Sequence, residues 1–379
     1  MDRFLVEQQQ REASMGGGGS DVAQLPVFDL GPFLEKCILG GQEPDEEIKK
    51  QCEGLAQCLK DTSALVVKDP RCPSSDNATF LDMLERYYEQ PNEVKRPDER
   101  PHFHYQVGVT PEGVEVPRCS MDPACLKEIE KQPEEHRAHV PTGADPKWRF
   151  MHRVGPRPAE TKFKELNAEP VYPEKFPEWE GNMTMWGTKM LNALEVVAEM
   201  AAIGLGLDRK AFVDKMRNGP HLLAPTGSDL AKYQDVGTVF AGYHYDLNFL
   251  TIHGKSRFPG LYIWLRNGNK TPVKMPEGCL LLQAGKQLEW LTGGAINAGM
   301  HEVVFSEGTK GAVAKAKEEG RSIWRVSSTL FGHIASDATL EPLGHFATDE
   351  AMAKYKKCCA GDQVQEELDT IKLKPNGLA

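Results

Sequence analysis

The second half of the chain consists largely of short segments of β-branched and aromatic residues separated by Gly, Pro and Asn. From residue 238 onward there are about eight such segments. Short strands at this spacing, each followed by a turn signal, are typical of an antiparallel barrel or sandwich. No other feature limits the fold as strongly, because each strand must bury one face against other strands.

The first half of the chain carries both helix and strand signals. Helical periodicity covers residues 45–60, 78–89, 178–207 and 208–218, and strand signals cover residues 25–30 and 63–68. Ser75 and Asp76 are expected to cap the second of these helices. Residues 91–160 are rich in Pro, His and charge, so we expect a long ordered loop region there that forms a lid or contacts substrate. Helices over residues 352–357 and 363–371 should close the chain.

These signals predict an α+β protein with four parts. We expect a disordered leader, an N-terminal α/β region with supporting helices, a β domain and C-terminal helices, at residues 1–24, 25–220, 221–347 and 348–379. A chain of 379 residues with 40% hydrophobic content can bury a sizeable core.

Composition favours a soluble enzyme. A formal charge of −10 argues against a general nucleic-acid binder, and no apolar run has the length of a membrane span. The first residues match neither a signal peptide nor a transit peptide. The nine cysteines lack a repeating pair spacing, so we expect free thiols, with Cys358 and Cys359 in a terminal helix, and a cytoplasmic location. We expect a monomer that binds a small molecule, without nucleic-acid or membrane partners.

His244 and Asp246 form the only His-x-Asp pair in the sequence, within a run that predicts two strands. Residues i and i+2 of a strand point to the same face, so both side chains should project together. His301 follows 57 residues later at the start of another apolar strand. Each signal alone occurs by chance on surface strands. Together, two histidines and one carboxylate predict the facial triad that binds non-haem Fe(II) and leaves coordination positions open.

Arg325 and Ser327 share one face of a later predicted strand. A guanidinium binds a carboxylate through two parallel hydrogen bonds, and a neighbouring hydroxyl can donate a third. The Arg-x-Ser pattern is weak by itself, since Arg118 and Ser120 also match it. Because the pair follows the predicted metal ligands in the sequence, we hypothesise that it forms a carboxylate-binding site.

The stretch from about residue 241 to residue 333 resembles the catalytic domain of the 2-oxoglutarate/Fe(II) oxygenases of the isopenicillin-N-synthase-like group, which is common in plants. The order and spacing of the His-x-Asp pair, the second His and the Arg-x-Ser pair carry the resemblance over about ninety residues. Between them lie the family's hydrophobic strand, Pro-Gly-Leu turn and Gly-bearing turn, at residues 250–253, 259–264 and 280–285.

The resemblance implies a double-stranded β-helix, or jelly-roll, core. It also implies that His244, Asp246 and His301 bind Fe(II), that 2-oxoglutarate chelates the iron, and that Arg325 and Ser327 bind its distal carboxylate. The implied reaction uses O2, with ascorbate as an optional reductant, and releases succinate and CO2. A small organic molecule would be hydroxylated, desaturated or demethylated.

Three further residues are expected to line the pocket. Asn248 and Leu250 share the strand face of the His-x-Asp pair, and Gln283 lies on a separate strand. We expect His102 and His104, on one strand face, to belong to a lid or pocket wall, because no carboxylate or thiol near them completes a second metal site.

The chain departs from the family pattern in three places. The Tyr-Pro pair that usually precedes the His-x-Asp pair is absent, an acidic residue is replaced by Lys286, and 24 residues separate His301 from Arg325. We expect the extra residues, 306–320, to form an exposed helix. The missing Tyr keeps one alternative open, an Fe(II) oxidase of the same fold that does not use 2-oxoglutarate. A second alternative is a catalytically silent small-molecule-binding relative, and the intact triad argues against it.

Overall fold

The computed structural model describes residues 25–120 and 122–370. The predicted leader and the last residue of the predicted C-terminal helix lie outside the described residues. No helix in the described part of the chain is long and apolar enough to cross a membrane.

Sixteen strands are present in the described residues. They are β1 Val27–Asp29, β2 Ala64–Lys68, β3 Gly108–Thr110, β4 Trp148–Val154, β5 His221–Leu223, β6 Thr226–Asp229, β7 Val239–His244, β8 Leu250–Gly254, β9 Leu261–Trp264, β10 Lys270–Pro272, β11 Cys279–Ala284, β12 His301–Val304, β13 Trp324–Val326, β14 Ser328–Gly332, β15 Thr339–Leu340 and β16 Cys358–Cys359.

Helices occupy seven of the connections between these strands and also follow the last strand. Those of four or more residues are Leu34–Leu39, Glu46–Thr62, Ser74–Tyr88, Asn92–Lys95, Pro123–Lys131, Trp179–Gly204, Val213–Met216, Lys286–Leu291, Glu307–Glu318, Asp349–Lys354 and Ala360–Thr370.

Two largely antiparallel sheets form the centre of the α+β fold. The larger sheet has ten strands in the order β1-β2-β11-β8-β14-β5-β4-β6-β13, with β3 paired to β4. The smaller sheet has the order β10-β9-β12-β7. Strands from the N-terminal region, β2 and β4, pair directly with later strands. The N-terminal region therefore extends the β core, and it does not stand apart from it.

The helix Trp179–Gly204 supports the larger sheet from one side. Its buried residues include the apolar stripe Trp186, Met190, Leu191, Leu194, Val197 and Ala201. It also packs against the helix Glu46–Thr62. At their closest approach a Cβ on Gly204 would lie 2.0 Å from the Cys52 carbonyl oxygen, so only glycine fits there.

Several predicted elements differ from the structure. The helix expected at residues 78–89 begins at Ser74 after Pro73 and has no side-chain cap. The Asp76 carboxylate instead forms an ion pair with Lys189. The helix expected at residues 208–218 is confined to Val213–Met216.

The region expected to be a loop, residues 91–160, contains the helix Pro123–Lys131 and the strands β3 and β4. Sequence interpretation missed β4 because its alternation places charged side chains towards the protein interior. His102 lies in a short 3-10 turn and His104 has a φ of 51°, so the two do not share a strand face.

Two expectations about cysteines are wrong. Cys119 and Cys125 are bonded as a disulfide, with Cα atoms 5.0 Å apart. The short helix Pro123–Lys131 follows a tight turn that brings the two side chains together. Cys358 and Cys359 form β16, which pairs with β15, because the preceding helix ends at Lys354. The other seven cysteines are free.

The extra segment before Arg325 is a helix, Glu307–Glu318, as predicted, but it is not fully exposed. Its inner face buries Thr309, Val313 and Ala316. The last two pack in a cluster with Phe240 and other apolar residues of the β core. Ser306 caps the helix by accepting a hydrogen bond from the Thr309 N–H at 3.2 Å.

Candidate metal centre

The pairing of β7 with β12 brings the two predicted histidine ligands together. His301 is the direct partner of His244 in this antiparallel pair, and the ring centroids are 4.1 Å apart. Asp246 follows two residues after the end of β7. Its carboxylate therefore reaches the histidines from the loop beyond the strand, and not from the strand itself.

The donor atoms of these three residues converge on one point. Asp246 Oδ1 lies 3.8 Å from His244 Nε2 and 3.9 Å from His301 Nε2. All three donor atoms lie within 4.8 Å of one another, in the only such group of three or more in the described residues. Separations of 3–4 Å are close to those expected when three ligands surround one ion at about 2.1 Å. The donor set therefore fits a single metal ion.

Neighbouring groups orient the three donors. The Nδ1–H of His244 can donate to the Gly242 carbonyl at 2.6 Å, which leaves Nε2 with its lone pair. His301 Nδ1 lies 3.4 Å from the Gly299 carbonyl. The Thr251 hydroxyl donates to Asp246 Oδ2 at 2.6 Å and leaves Oδ1 for the centre. Such outer contacts set the tautomer and direction of metal ligands.

The electrostatic environment favours the ligating forms of His244 and Asp246. Burial, and then the neighbouring His301, lower the pKa of His244. Burial opposes ionisation of Asp246, but the two histidines and the Thr251 hydrogen bond outweigh it and hold the pKa of Asp246 below its ordinary value. A neutral imidazole and an ionised carboxylate are the forms that bind a metal ion.

A small cavity of about 80 Å³ connects the triad to Arg325 and is lined by side chains from both sheets. Arg325 is only 6% exposed. Its Nε donates to the Pro259 carbonyl at 3.3 Å, and no carboxylate in the described part of the chain pairs with it. Burial lowers the pKa of Arg325 to about 10, so it remains charged at neutral pH. The cavity thus holds a cation without an anionic partner.

Ser327 lines the same cavity as Arg325 but lies between β13 and β14, outside either strand. Its oxygen accepts a hydrogen bond from the Thr226 N–H at 2.9 Å. That contact leaves the hydroxyl hydrogen available to a ligand. The structure therefore brings the predicted Arg-x-Ser pair together beside the triad.

A larger cavity of about 420 Å³ opens on His244 and Asp246. Its walls come from residues 106–151, the loop after β7 and the helix Ala360–Thr370, and include Asn248 and His333. Part of the region between residues 91 and 160 therefore forms a wall of this cavity.

Charged residues of this larger cavity were missed by sequence interpretation. Lys147 and Arg149 pair with Glu115 at 2.7 and 2.8 Å, and Lys147 also pairs with Asp145. The alternation of charged and apolar residues from 147 to 151 was the available signal, since it marks a strand with one polar face.

Tyr245 lies between the first two predicted ligands and lines the larger cavity. The Tyr245 hydroxyl bonds with Arg118 and donates to Glu367 at 3.0 Å. The C-terminal helix is thereby connected to the loop that carries Asp246.

The three predicted pocket residues have different surroundings. Asn248 lines the larger cavity, and its amide donates to the Leu250 and Gly332 carbonyls at 2.8 and 3.1 Å. The Leu250 side chain is fully buried in the main hydrophobic core. Gln283 is 1% exposed, and its Oε1 lies 3.2 Å from His253 Nε2. Neither Leu250 nor Gln283 lines the two cavities described above.

Comparison with known proteins gives one sequence relative and many structural ones. The chain is 26% identical over 218 residues to kihadalactone A synthase of Citrus sinensis, a 2OG-Fe(II) oxygenase. That match covers 52% of this chain and 58% of the relative, so it spans little more than half of either protein. No family model matches the sequence.

Solved structures share the fold along nearly the whole chain. A protein assigned to the 2OG-Fe(II) oxygenase family from Caulobacter crescentus has a TM-score of 0.69 at 20% identity, over 92% of this chain and 99% of its own. A full-length Neurospora crassa protein, in complex with α-ketoglutarate and thymine, has a TM-score of 0.68 at 18% identity, over 93% and 98%. A rice dioxygenase for auxin oxidation has a TM-score of 0.60 at 16% identity, over 92% and 96%. The chain therefore has the fold of the 2-oxoglutarate/Fe(II) oxygenases and is similar in sequence to a plant member of that group.

Proposed function

We propose that this protein is an Fe(II)- and 2-oxoglutarate-dependent oxygenase that oxidises a small organic molecule. The two sheets would form the two halves of a double-stranded β-helix within residues 221–347, extended by β2 and β4. His244, Asp246 and His301 would bind the iron, as their convergent donor atoms support.

The observation that carries this proposal is the unpaired charge of Arg325. A buried cation without a counter-ion is costly, and natural proteins retain one mainly where a ligand supplies the opposite charge. The guanidinium lies in the cavity that also contains the triad. A dicarboxylate whose distal end binds Arg325 and Ser327 would extend towards the metal ligands. This arrangement supports 2-oxoglutarate and disfavours an oxidase that does without it.

When bound, iron and 2-oxoglutarate together supply the activation of O2 that oxidises a substrate C–H bond, with succinate and CO2 released. The residues of this chain position and shield the reactants. Thr251 and Gly242 orient two of the metal ligands, and Arg325 fixes the far end of the co-substrate. The larger cavity offers the substrate a position beside His244 and Asp246.

The larger cavity suits an uncharged substrate. Each of its cations already has a carboxylate partner: Lys147 and Arg149 pair with Glu115, and Arg118 pairs with Asp122 and Glu367. Most of its lining surface is apolar. A substrate carboxylate would have to displace an internal ion pair, whereas a neutral molecule would only exclude water. A volume of about 420 Å³ is in the range of small-molecule sites.

The test is an anaerobic titration with Fe(II) followed by 2-oxoglutarate, monitored by the weak visible band that a 2-oxo acid gives when it chelates Fe(II). We expect one iron per chain and a saturable band. His301→Ala should abolish both signals. Iron binding without any response to 2-oxoglutarate would refute the proposed co-substrate and favour the oxidase, and absence of iron binding would refute the metal site.

A further inference from the structure

Three neighbouring strands present polar residues to the small cavity beside the triad. In the pairing of β6 with β13, Ser228 lies directly opposite Arg325. In the pairing of β4 with β6, Thr226 lies directly opposite Arg149. Side chains of directly opposed residues lie on the same face of a sheet, about 5 Å apart. Ser228 and Thr226 therefore face the cavity together with Arg325.

The Ser228 hydroxyl has no hydrogen-bond partner in the described residues, although the side chain is buried. Ser228 is 2% exposed and lines the cavity that joins the triad to Arg325. The Ser228 oxygen is not among the fully buried polar atoms without a partner, so it is open to the small cavity, where a bound molecule can reach it. A hydroxyl that faces a cavity opposite an unpaired guanidinium is available to donate to an anion bound there.

The cations on the neighbouring strand do not fill this role. Lys147 is paired with Glu115 at 2.7 Å and also with Asp145, and Arg149 is paired with Glu115 at 2.8 Å. Both are neutralised within the protein. The Nε of Arg149 also has no hydrogen-bond partner, but Arg149 lies two strands away from Arg325. The free donors on the strand directly beside Arg325 are the hydroxyls of Thr226 and Ser228.

We propose that Ser228 binds the distal carboxylate of 2-oxoglutarate together with Arg325 and Ser327. Ser228 thereby replaces the tyrosine that this chain lacks. The inference rests on the proposed function and names a residue that the family pattern does not supply.

The number of hydrogen bonds supports this assignment. A carboxylate offers about four acceptor positions. The two terminal nitrogens of Arg325 can donate to two of these positions, because its Nε already donates to the Pro259 carbonyl at 3.3 Å. The Ser327 hydroxyl fills a third, and it is oriented by the Thr226 N–H at 2.9 Å. Ser228, opposite Arg325, fills the fourth.

The test compares 2-oxoglutarate binding by wild type and Ser228→Ala in oxygen-free, Fe(II)-loaded protein, by calorimetry and by the visible band. Loss of one hydrogen bond to a charged group should weaken 2-oxoglutarate binding by about ten- to a hundredfold. Fe(II) affinity should not change, because Ser228 is not a metal ligand. Ser228→Thr keeps the hydroxyl and should bind within about threefold of wild type, on the scale where 1.4 kcal/mol is tenfold.

Ser120→Ala is the matched control. The Ser120 hydroxyl, like that of Ser228, has no hydrogen-bond partner in the described residues, but Ser120 does not line the small cavity. This variant should bind 2-oxoglutarate like wild type. Wild-type affinity in Ser228→Ala, with affinity lost in Arg325→Met, would overturn the role of Ser228 and leave the proposed function standing. Failure of the wild-type protein to bind 2-oxoglutarate would overturn both.

Discussion

Replacing Arg325 by methionine should make the ligand-free protein more stable and abolish its response to 2-oxoglutarate. The guanidinium is 6% exposed and has no carboxylate partner in the described residues. Burial lowers its pKa from the ordinary value of 12.5 to about 10. At about 1.4 kcal/mol per pH unit, this difference corresponds to roughly 3 kcal/mol.

The direction of the stability change, and the pH range in which it applies, follow from the lowered pKa of Arg325. Below pH 10 the group is charged in both the folded and the unfolded protein, so the penalty applies in full at neutral pH. It is relieved only as the pH rises through about 10. The variant also loses the hydrogen bond to Pro259, which is worth about 1 kcal/mol. The expected net gain is therefore about 1–2 kcal/mol, or a few degrees in melting temperature.

Bound 2-oxoglutarate should reverse the relative stability of wild type and Arg325→Met. At about one hundred times its Kd, 2-oxoglutarate would stabilise the Fe(II)-loaded wild type by about 2.7 kcal/mol. Arg325→Met should gain almost nothing, because the fork that binds the distal carboxylate is gone. Wild type would then be the more stable protein with 2-oxoglutarate and the less stable one without it. Anaerobic thermal unfolding, followed by tryptophan fluorescence, measures both conditions.

Arg153→Met is the control for burial of a guanidinium. Burial also lowers the pKa of Arg153 to about 10, but this side chain donates to the Val154 and Pro156 carbonyls and does not line either cavity. Its replacement should leave 2-oxoglutarate affinity unchanged. The reasoning would be refuted if Arg325→Met were less stable than wild type without ligand and were still stabilised by 2-oxoglutarate as strongly as wild type.

Two further predictions concern the extra helix and the substrate. Deleting Glu307–Glu318 should lower the unfolding midpoint, because its inner face is buried, and Val313→Ala alone should cost about 1–2 kcal/mol. Fe(II) affinity should be unchanged in both variants, and its loss in a folded deletion protein would show that the helix helps to form the metal site. Among matched ligands, methyl esters should stabilise the iron-loaded protein more than the free acids, and Glu115→Gln should reduce that preference by freeing Arg149. A consistent preference for acids in wild type would contradict an uncharged substrate.

The sequence was sufficient for features that depend on local pattern and order along the chain. Period-two alternation located β7 and β8, and helical periodicity located the helix Trp179–Gly204 within about three residues of its ends. The spacing of His244, Asp246 and His301 identified three residues whose donor atoms lie within 4.8 Å in the structure.

Other features depend on which segments become neighbours, and local pattern carries no information about that. Arg149 has the appearance of a surface residue in sequence, but in the fold it faces a cavity, and Glu115 on a separate segment neutralises it. Ser228 is an ordinary turn-like serine until β6 pairs with β13 and places it opposite Arg325. The helix Glu307–Glu318 looked exposed because the apolar residues that cover its inner face belong to other parts of the chain.

The sequence by itself thus determined the strand-rich core, the main supporting helix and the candidate metal ligands. These features follow from the pattern of residues within each segment of the chain. Only the tertiary structure decided the second half of the site: the unpaired Arg325, the hydroxyl opposite it, and the paired charges of the larger cavity. The physical reason is that burial and charge compensation are properties of contacts between distant segments. They exist only once the two sheets have closed around the cavity.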